Sequence, residues 1–145
     1  MITRTQICAE ARSWTGTRWQ HQASLKGVAC DCAGFVRGVN RELTGQDVSF
    51  PVDYPATWHF FKTDPRMLET CQQYMDPIPL EAIQPGDVLL FKFPLAKVDH
   101  HMGIYLGQGR FIHAEMEARM VHESPLDTTW KSRLSHAFRF RGLEE

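Results

Sequence analysis

Cys32 is the residue whose neighbours most favour reactivity. Asp31 is a preferred helix N-cap type, and Phe35, Val36, Val39 and Leu43 follow it at helical spacing. Cys32 then falls in the first turn of a helix, where orphan backbone N–H groups and the positive end of the helix dipole favour a thiolate. The spacing therefore predicts a depressed thiol pKa. A base is available farther along, in the His-rich stretch from His100 to His113. A thiolate and a distant histidine are the minimal apparatus of a cysteine hydrolase.

The histidines sit on a predicted hairpin. Residues 100–106 alternate, Gly107-Gln108-Gly109 reads as a turn, and Arg110–Met116 is the return strand. Met102, Ile104 and Leu106 share one face, and His101, Gly103 and Tyr105 the other. A three-residue turn pairs Leu106 with Arg110, which sets Gly103 opposite His113 and His101 opposite Glu115. His101 and His113 then project from one half-exposed face as diagonal neighbours. A two-residue turn would throw His113 to the other side, since a one-residue slip flips a strand. In this register His101 takes the proton of Cys32, and His113 holds the imidazole in the useful tautomer. Glu115 competes for the orienting role, while His100 points to the opposite face.

The surrounding elements place these groups. Residues 3–14 read as an amphipathic helix carrying Ile7, Cys8, Ala11 and Trp14. Residues 15–30 are a loop, and residues 32–43 are the cysteine helix, closed by Thr44-Gly45. An aromatic segment follows, with Phe50, Tyr54, Trp58, Phe60 and Phe61 as candidate cleft walls. Asp64-Pro65 opens a helix to about Tyr74. The period then changes to two. Pro85-Gly86-Asp87 is a turn before a strand at Val88–Phe93, Ala118–Glu123 is a strand, Ser124-Pro125 caps a short helix through Leu134, and His136–Arg141 closes the series. Helices first and an antiparallel sheet second make an α+β layout, expected as one domain over 1–145.

Sixteen basic and 17 acidic residues give a net charge of −1, which argues against nucleic-acid binding driven by bulk charge. No apolar run reaches the length of a membrane span. No signal-peptide core follows Met1, so synthesis in the cytoplasm is the expectation. The cysteines Cys8, Cys30, Cys32 and Cys71 match no common zinc spacing, and Cys30 and Cys32 are too close for an unstrained disulfide. Cys8 and Cys71 read as small buried apolar residues. Neither a metal nor a cofactor is required.

Three motifs in order resemble a known family. Asp31-Cys32-Ala33-Gly34-Phe35-Val36 resembles the Asp-Cys-Ser-Gly-Phe-Val signature of the bacterial NlpC-type cell-wall cysteine peptidases. Pro85-Gly86-Asp87-Val88-Leu89-Leu90-Phe91 is similar to their Pro-Gly-Asp-Leu-Val-Phe-Phe strand. His101-Met102-Gly103-Ile104-Tyr105-Leu106-Gly107, with Phe111-Ile112-His113-Ala114, is similar to their histidine hairpin. The resemblance implies a papain-like fold, with N-terminal helices, including the nucleophile helix, packed on a small antiparallel sheet or barrel. It implies Cys32 as nucleophile, His101 as base, His113 as the orienting residue, and Trp19, Asp31 and Ala33 as substrate-binding positions. The implied substrates are peptidoglycan stem peptides, commonly cut between γ-D-glutamate and the diamino acid.

The short form, with His21–Val28 before the cysteine, also resembles versions carried by phages, prophages and gene-transfer particles. That implies phage-tail-type partners and action at the cell wall or periplasm after delivery by such a particle or by lysis. Two positions depart from the pattern. Ala33 replaces the usual serine, and Trp19 stands where the family usually has tyrosine, so two hydroxyls near the substrate amine are missing. Cys30 is an additional thiol, either structural or a redox partner of Cys32. Competing readings are an amidase or acyltransferase on the same fold, a metal module of Cys30, Cys32, His100 and His101, and an inactive wall-binding or tail-tip protein.

Overall fold

The structure is a computed structural model that describes residues 1–48 and 65–144. The aromatic segment from Phe50 to Phe61, read above as a cleft wall, lies outside the described residues, as does the expected cap Asp64. Strand β1 (Ile2–Thr3) leads into helix α1 (Arg4–Ser13), which Thr3 and Gln6 cap reciprocally. The stretch expected as plain loop holds three two-residue strands, β2 (Arg18–Trp19), β3 (Ser24–Leu25) and β4 (Ala29–Cys30). Helix α2 (Cys32–Thr44) begins one residue after its Asp31 cap, as the spacing predicts. It ends at Gly45, whose φ of +73° allows the left-handed cap.

Helix α3 (Arg66–Tyr74) and strand β5 (Met75–Ile78) lead to the sheet's main strands. These are β6 (Val88–Phe91), β7 (His101–Gly107), β8 (Arg110–Glu115), β9 (Met120–Pro125) and β10 (Leu134–Phe140), with helix α4 (Thr128–Arg133) between the last two. Strand β11 (Leu143–Glu144) returns to pair with β1. Among the described residues the large sheet has the order β3-β4-β2-β9-β8-β7-β6-β10-β5. It is antiparallel except for the β2–β4 pair. This is the expected α+β architecture, with α1, α2 and α3 on one face of the sheet and α4 on the other.

Two cores follow from the sheet's two faces. The larger one packs Phe35, Val36 and Val39 of α2 with Ile7, Ala11 and Trp14 of α1 onto Val88, Leu90, Met102, Ile104 and Ile112. Each large side chain buried there contributes roughly 1.5–3 kcal/mol. The smaller core gathers Leu89, Phe91, Phe111 and Ala137 beneath Trp130 and Leu134. The face expected to be half-exposed is thus covered, and His113 is fully buried on it.

The cover depends on where α4 begins. Ser124 and Pro125 do not cap it: both belong to β9, and the cap is Asp127, whose side chain accepts from the Trp130 N–H. Pairing of β9 with β8, with Phe111 opposite Ser124, extends the strand past the local helix-start signal. Asp87, in the turn before β6, ties the two ends of the chain together. Its buried carboxylate accepts from Arg4 at 3.1 Å and from Arg139 at 3.0 and 2.9 Å.

Candidate active site

The hairpin reaches the expected register by an unexpected turn. Ile104 pairs with Ile112 and Tyr105 with Phe111, as predicted, but Gly107 pairs with Arg110. The loop is therefore two residues, Gln108 and Gly109, both at positive φ (+54° and +72°). The slip this would cause is absorbed at Leu106, an extra residue on β7, where the ladder shifts. His113 consequently stays on the His101 side. Gly103 makes the seat for it: a Cβ there would lie 2.8 Å from the Ile112 carbonyl oxygen and 3.1 Å from the His113 Cβ.

His101 Nε2 is 2.7 Å from His113 Nδ1, and His113 Nε2 is 2.8 Å from Ser124 Oγ. Trp130 packs against both histidines, 5.6 Å from the His101 ring and 5.1 Å from the His113 ring. Burial, aided by repulsion from His101 and His122, pushes the His113 pKa down to about 2. The ring is therefore neutral and keeps one nitrogen as an acceptor. Glu115 does not reach for His101; it bonds His122 at 2.8 Å. Sequence reasoning missed Ser124, which it read as a helix cap, and Trp130. The alternation of Val121 with His122 and of Glu123 with Ser124 is the signal that could have extended β9 to the buried serine.

Cys32 opens α2 at the edge of the larger core, next to the start of β7. Its sulfur feels the backbone N–H groups of Ala33 and of Met102, the residue after His101. Cys32 and His101 line one cleft together with Trp19, Asp31, Ala33 and Trp130, while His113 sits behind His101. The predicted depressed thiol is corrected here. Burial pushes the Cys32 thiol above its ordinary value, and the adjacent Asp31 carboxylate adds to the rise, outweighing the two N–H groups. The resting side chain is a thiol.

Asp31 is occupied by the backbone. One carboxylate oxygen accepts from the Gly34 N–H at 2.7 Å and the other from the Gln22 N–H at 2.8 Å, so it anchors both the helix start and the loop before it. His100 is also corrected: it lines the same cleft as His101, stacked 4.0 Å from the Phe93 ring. Cys30 is fully buried in β4, and burial with the Asp31 charge raises its thiol to about 12, which fits the structural reading. All four cysteines are free thiols.

Among the described residues, His113, Glu115 and His122 hold their ligand atoms within 4.8 Å of one another. All three side chains are engaged in the hydrogen bonds given above. The set of Cys30, Cys32, His100 and His101 does not converge in this way.

The chain is similar to known proteins over most of its length. The chain is 26% identical over 136 residues to the murein DD-endopeptidase MepS/murein LD-carboxypeptidase of Escherichia coli K12, covering 94% of this chain and 62% of that protein. It is 26% identical over 137 residues to the γ-DL-glutamyl hydrolase of Bacillus subtilis, covering 94% of this chain and 29% of that protein. The chain thus spans less than two thirds of the length of these relatives. The NlpC/P60 domain of the peptidoglycan hydrolase SagA superposes with a TM-score of 0.66 at 22% identity, covering 96% of this chain and all of that domain. An NlpC/P60 protein of Bacillus cereus superposes with a TM-score of 0.68 at 19% identity, covering 94% of this chain and 40% of that one. These two likenesses confirm the fold. Because the family's own model matches residues 13–139, across the cysteine helix and the histidine hairpin alike, the chain belongs to the NlpC/P60 family.

Proposed function

We propose that the protein is a cysteine peptidase that hydrolyses peptidoglycan stem peptides, with Cys32 as nucleophile, His101 as base and His113 as the orienting residue. The observation that carries this reading is the hydrogen-bonded line from His101 through His113 to Ser124, which ends at the cleft shared with Cys32. The murein endopeptidase and γ-glutamyl hydrolase relatives support the substrate class. The second of them favours the bond on the γ-carbonyl side of D-glutamate.

Proton bookkeeping follows from the tautomers. His101 gives its Nε2–H to His113 Nδ1, and His113 gives its Nε2–H to Ser124 Oγ. His101 Nδ1 is then the nitrogen that takes the Cys32 proton. As the proton leaves, the thiolate attacks the carbonyl carbon, and a carbon–sulfur bond forms. The Cys32 backbone N–H, in the first turn with no intrahelical acceptor, donates to the oxyanion. The imidazolium of His101 next protonates the leaving amine as the carbon–nitrogen bond breaks. Water, deprotonated by His101, opens the thioester to a carboxylic acid and restores the thiol.

A neutral His113 matters at each step, because a protonated one cannot accept from His101. Ala33 and Trp19 line the cleft without the hydroxyls usual in the family, so substrate selection draws on the Trp19 indole N–H and on groups farther along the wall. Delivery to the wall by a phage-like particle or by lysis is part of the proposal, resting on the resemblance of the His21–Val28 segment to phage-borne versions. A defined stem peptide, L-Ala-γ-D-Glu-diaminopimelate-D-Ala, incubated with the protein and resolved by mass, tests the bond. Fragments split after γ-D-Glu support the reading, and an intact peptide under conditions where the protein is folded refutes it.

A further inference from the structure

Arg133 differs from the arginines that are held in ion pairs. Arg4 and Arg139 hold Asp87, Arg37 and Arg41 reach Asp47, and Arg141 reaches Asp76. Among the described residues Arg133 has no ion pair, and its Nε is buried with no hydrogen-bond partner. Its guanidinium carbon lies 5.2 Å from the centre of the Phe93 ring and 5.2 Å from that of Trp130. All three side chains line the cleft that holds Cys32 and His101.

A buried guanidinium N–H without an acceptor is costly, about 1–3 kcal/mol or more for a charged group. Two aromatic faces recover part of that cost and hold the fork in one orientation. A group so held has already lost its rotamer freedom, so a ligand that completes it is bound without that penalty. The ligand chemistry that completes a rigid guanidinium fork is a planar anion, and above all a carboxylate. Of the acidic side chains that line this cleft, Asp31 is engaged with Gly34 and Gln22 and Glu115 with His122, while Glu117 is exposed.

We propose that Arg133, set between Phe93 and Trp130, binds a free carboxylate of the peptide whose amide lies at Cys32. The proposal rests on the stem-peptide reading and deepens it. A γ-linked D-glutamyl residue carries a free α-carboxylate on the acyl side of the scissile amide, three carbons from its carbonyl, which supplies the required anion. Replacing that carboxylate by a carboxamide removes the charge and one acceptor while leaving the shape almost unchanged. Arg133 therefore selects the acidic form of the stem peptide over the amidated form.

Two peptides test this, L-Ala-γ-D-Glu-diaminopimelate and the same peptide with the glutamyl α-carboxylate amidated. Their binding to the Cys32→Ala protein is measured by titration calorimetry. The acidic form should bind about tenfold tighter or more, the usual worth of a hydrogen bond to a charged group. Adding Arg133→Gln should bring the two forms together, and Arg133→Lys should keep part of the preference. Circular dichroism confirms that each variant is folded. Equal binding of both forms before the Arg133 substitution overturns the proposal, as does a preference that survives Arg133→Gln. Hydrolysis of the same peptides by the protein with Cys32 intact separates the two readings. Cleavage without preference defeats only the Arg133 assignment. Neither cleavage nor binding of either peptide defeats the stem-peptide reading and this one together.

Discussion

His101 and His113 meet at 2.7 Å, Nε2 to Nδ1, with the second ring buried, neutral and held from behind by Ser124. The pair assigns a direction to every proton in the line. His113→Ala should lower kcat by roughly ten- to a hundredfold and leave KM nearly unchanged, because His113 acts on the base and does not line the cleft. His113→Asn or His113→Gln should recover part of the loss, since an amide oxygen still accepts. Glu115→Gln should change turnover little. A crippling Glu115→Gln with a mild His113→Ala would transfer the orienting role to Glu115.

Ser124 gives the line its polarity. With the hydroxyl present, His113 keeps its proton on Nε2 and its lone pair toward His101. In Ser124→Ala the buried Nε2 loses its acceptor, which favours the tautomer that carries the proton on Nδ1. That tautomer cannot accept from His101. We expect a several-fold fall in kcat with KM unmoved and recovery in Ser124→Thr, about the worth of one buried hydrogen bond. An unchanged kcat in Ser124→Ala would leave the serine a packing role only.

The His113 shift also has a stability consequence. Its pKa falls from 6.5 in the unfolded chain to about 2 in the folded one. Below pH 6.5 the unfolded state therefore binds the extra proton, and stability declines as pH falls, by at most about 1.4 kcal/mol per unit. Above pH 6.5 both states are neutral at this position and the effect is absent. Denaturant unfolding between pH 7 and pH 4 should show a shallower decline for His113→Gln than for the parent. Equal slopes would contradict a His113 that stays neutral.

The raised Cys32 thiol predicts slow alkylation. At neutral pH iodoacetamide should modify Cys32 in the folded protein no faster than it modifies cysteine in the unfolded chain. Turnover should show a solvent deuterium isotope effect, since the thiol proton moves to His101 as attack begins. Rapid labelling of Cys32 at pH 6 would indicate a preformed thiolate and contradict the burial-dominated picture.

Asp87 lies far in sequence from the cysteine helix but holds the frame on which it rests. Removing its carboxylate takes away the buried anion that Arg4 and Arg139 share. Asp87→Ala should destabilise the fold by roughly 3–5 kcal/mol, the usual cost of breaking a buried pair from one side. Chemical denaturation measures this directly, and a loss under 1 kcal/mol would show the cluster to be dispensable.

Local signals in the sequence carried the cysteine helix, its Asp31 and Gly45 caps and the histidine alternation into the structure unchanged. The His101–His113 register was legible for a partly wrong reason: the turn is shorter than expected, and a bulge at Leu106 restores the count. Ser124 and Trp130 were not legible, because Ser-Pro imitates a helix start and only pairing with β8 overrides it. The burial of His113 depends on α4 docking over the sheet, a tertiary event with no short-range signature. The Cys32 thiol is raised first by burial, a tertiary effect with no short-range signal, and second by the Asp31 carboxylate one residue earlier, while helix position alone points the other way. No local pattern marks Arg133, whose place between Phe93 and Trp130 is set by tertiary packing.

The central claim is that Cys32 and His101 form one hydrolytic unit, and purified peptidoglycan tests it most directly. Release of new amino groups is followed over time for the parent, Cys32→Ala, His101→Ala and the double variant, each checked for native fold. The account predicts release by the parent, losses of about a hundredfold or more in each single variant, and no further loss in the double. Full activity in Cys32→Ala, or multiplying losses in the double variant, would contradict it.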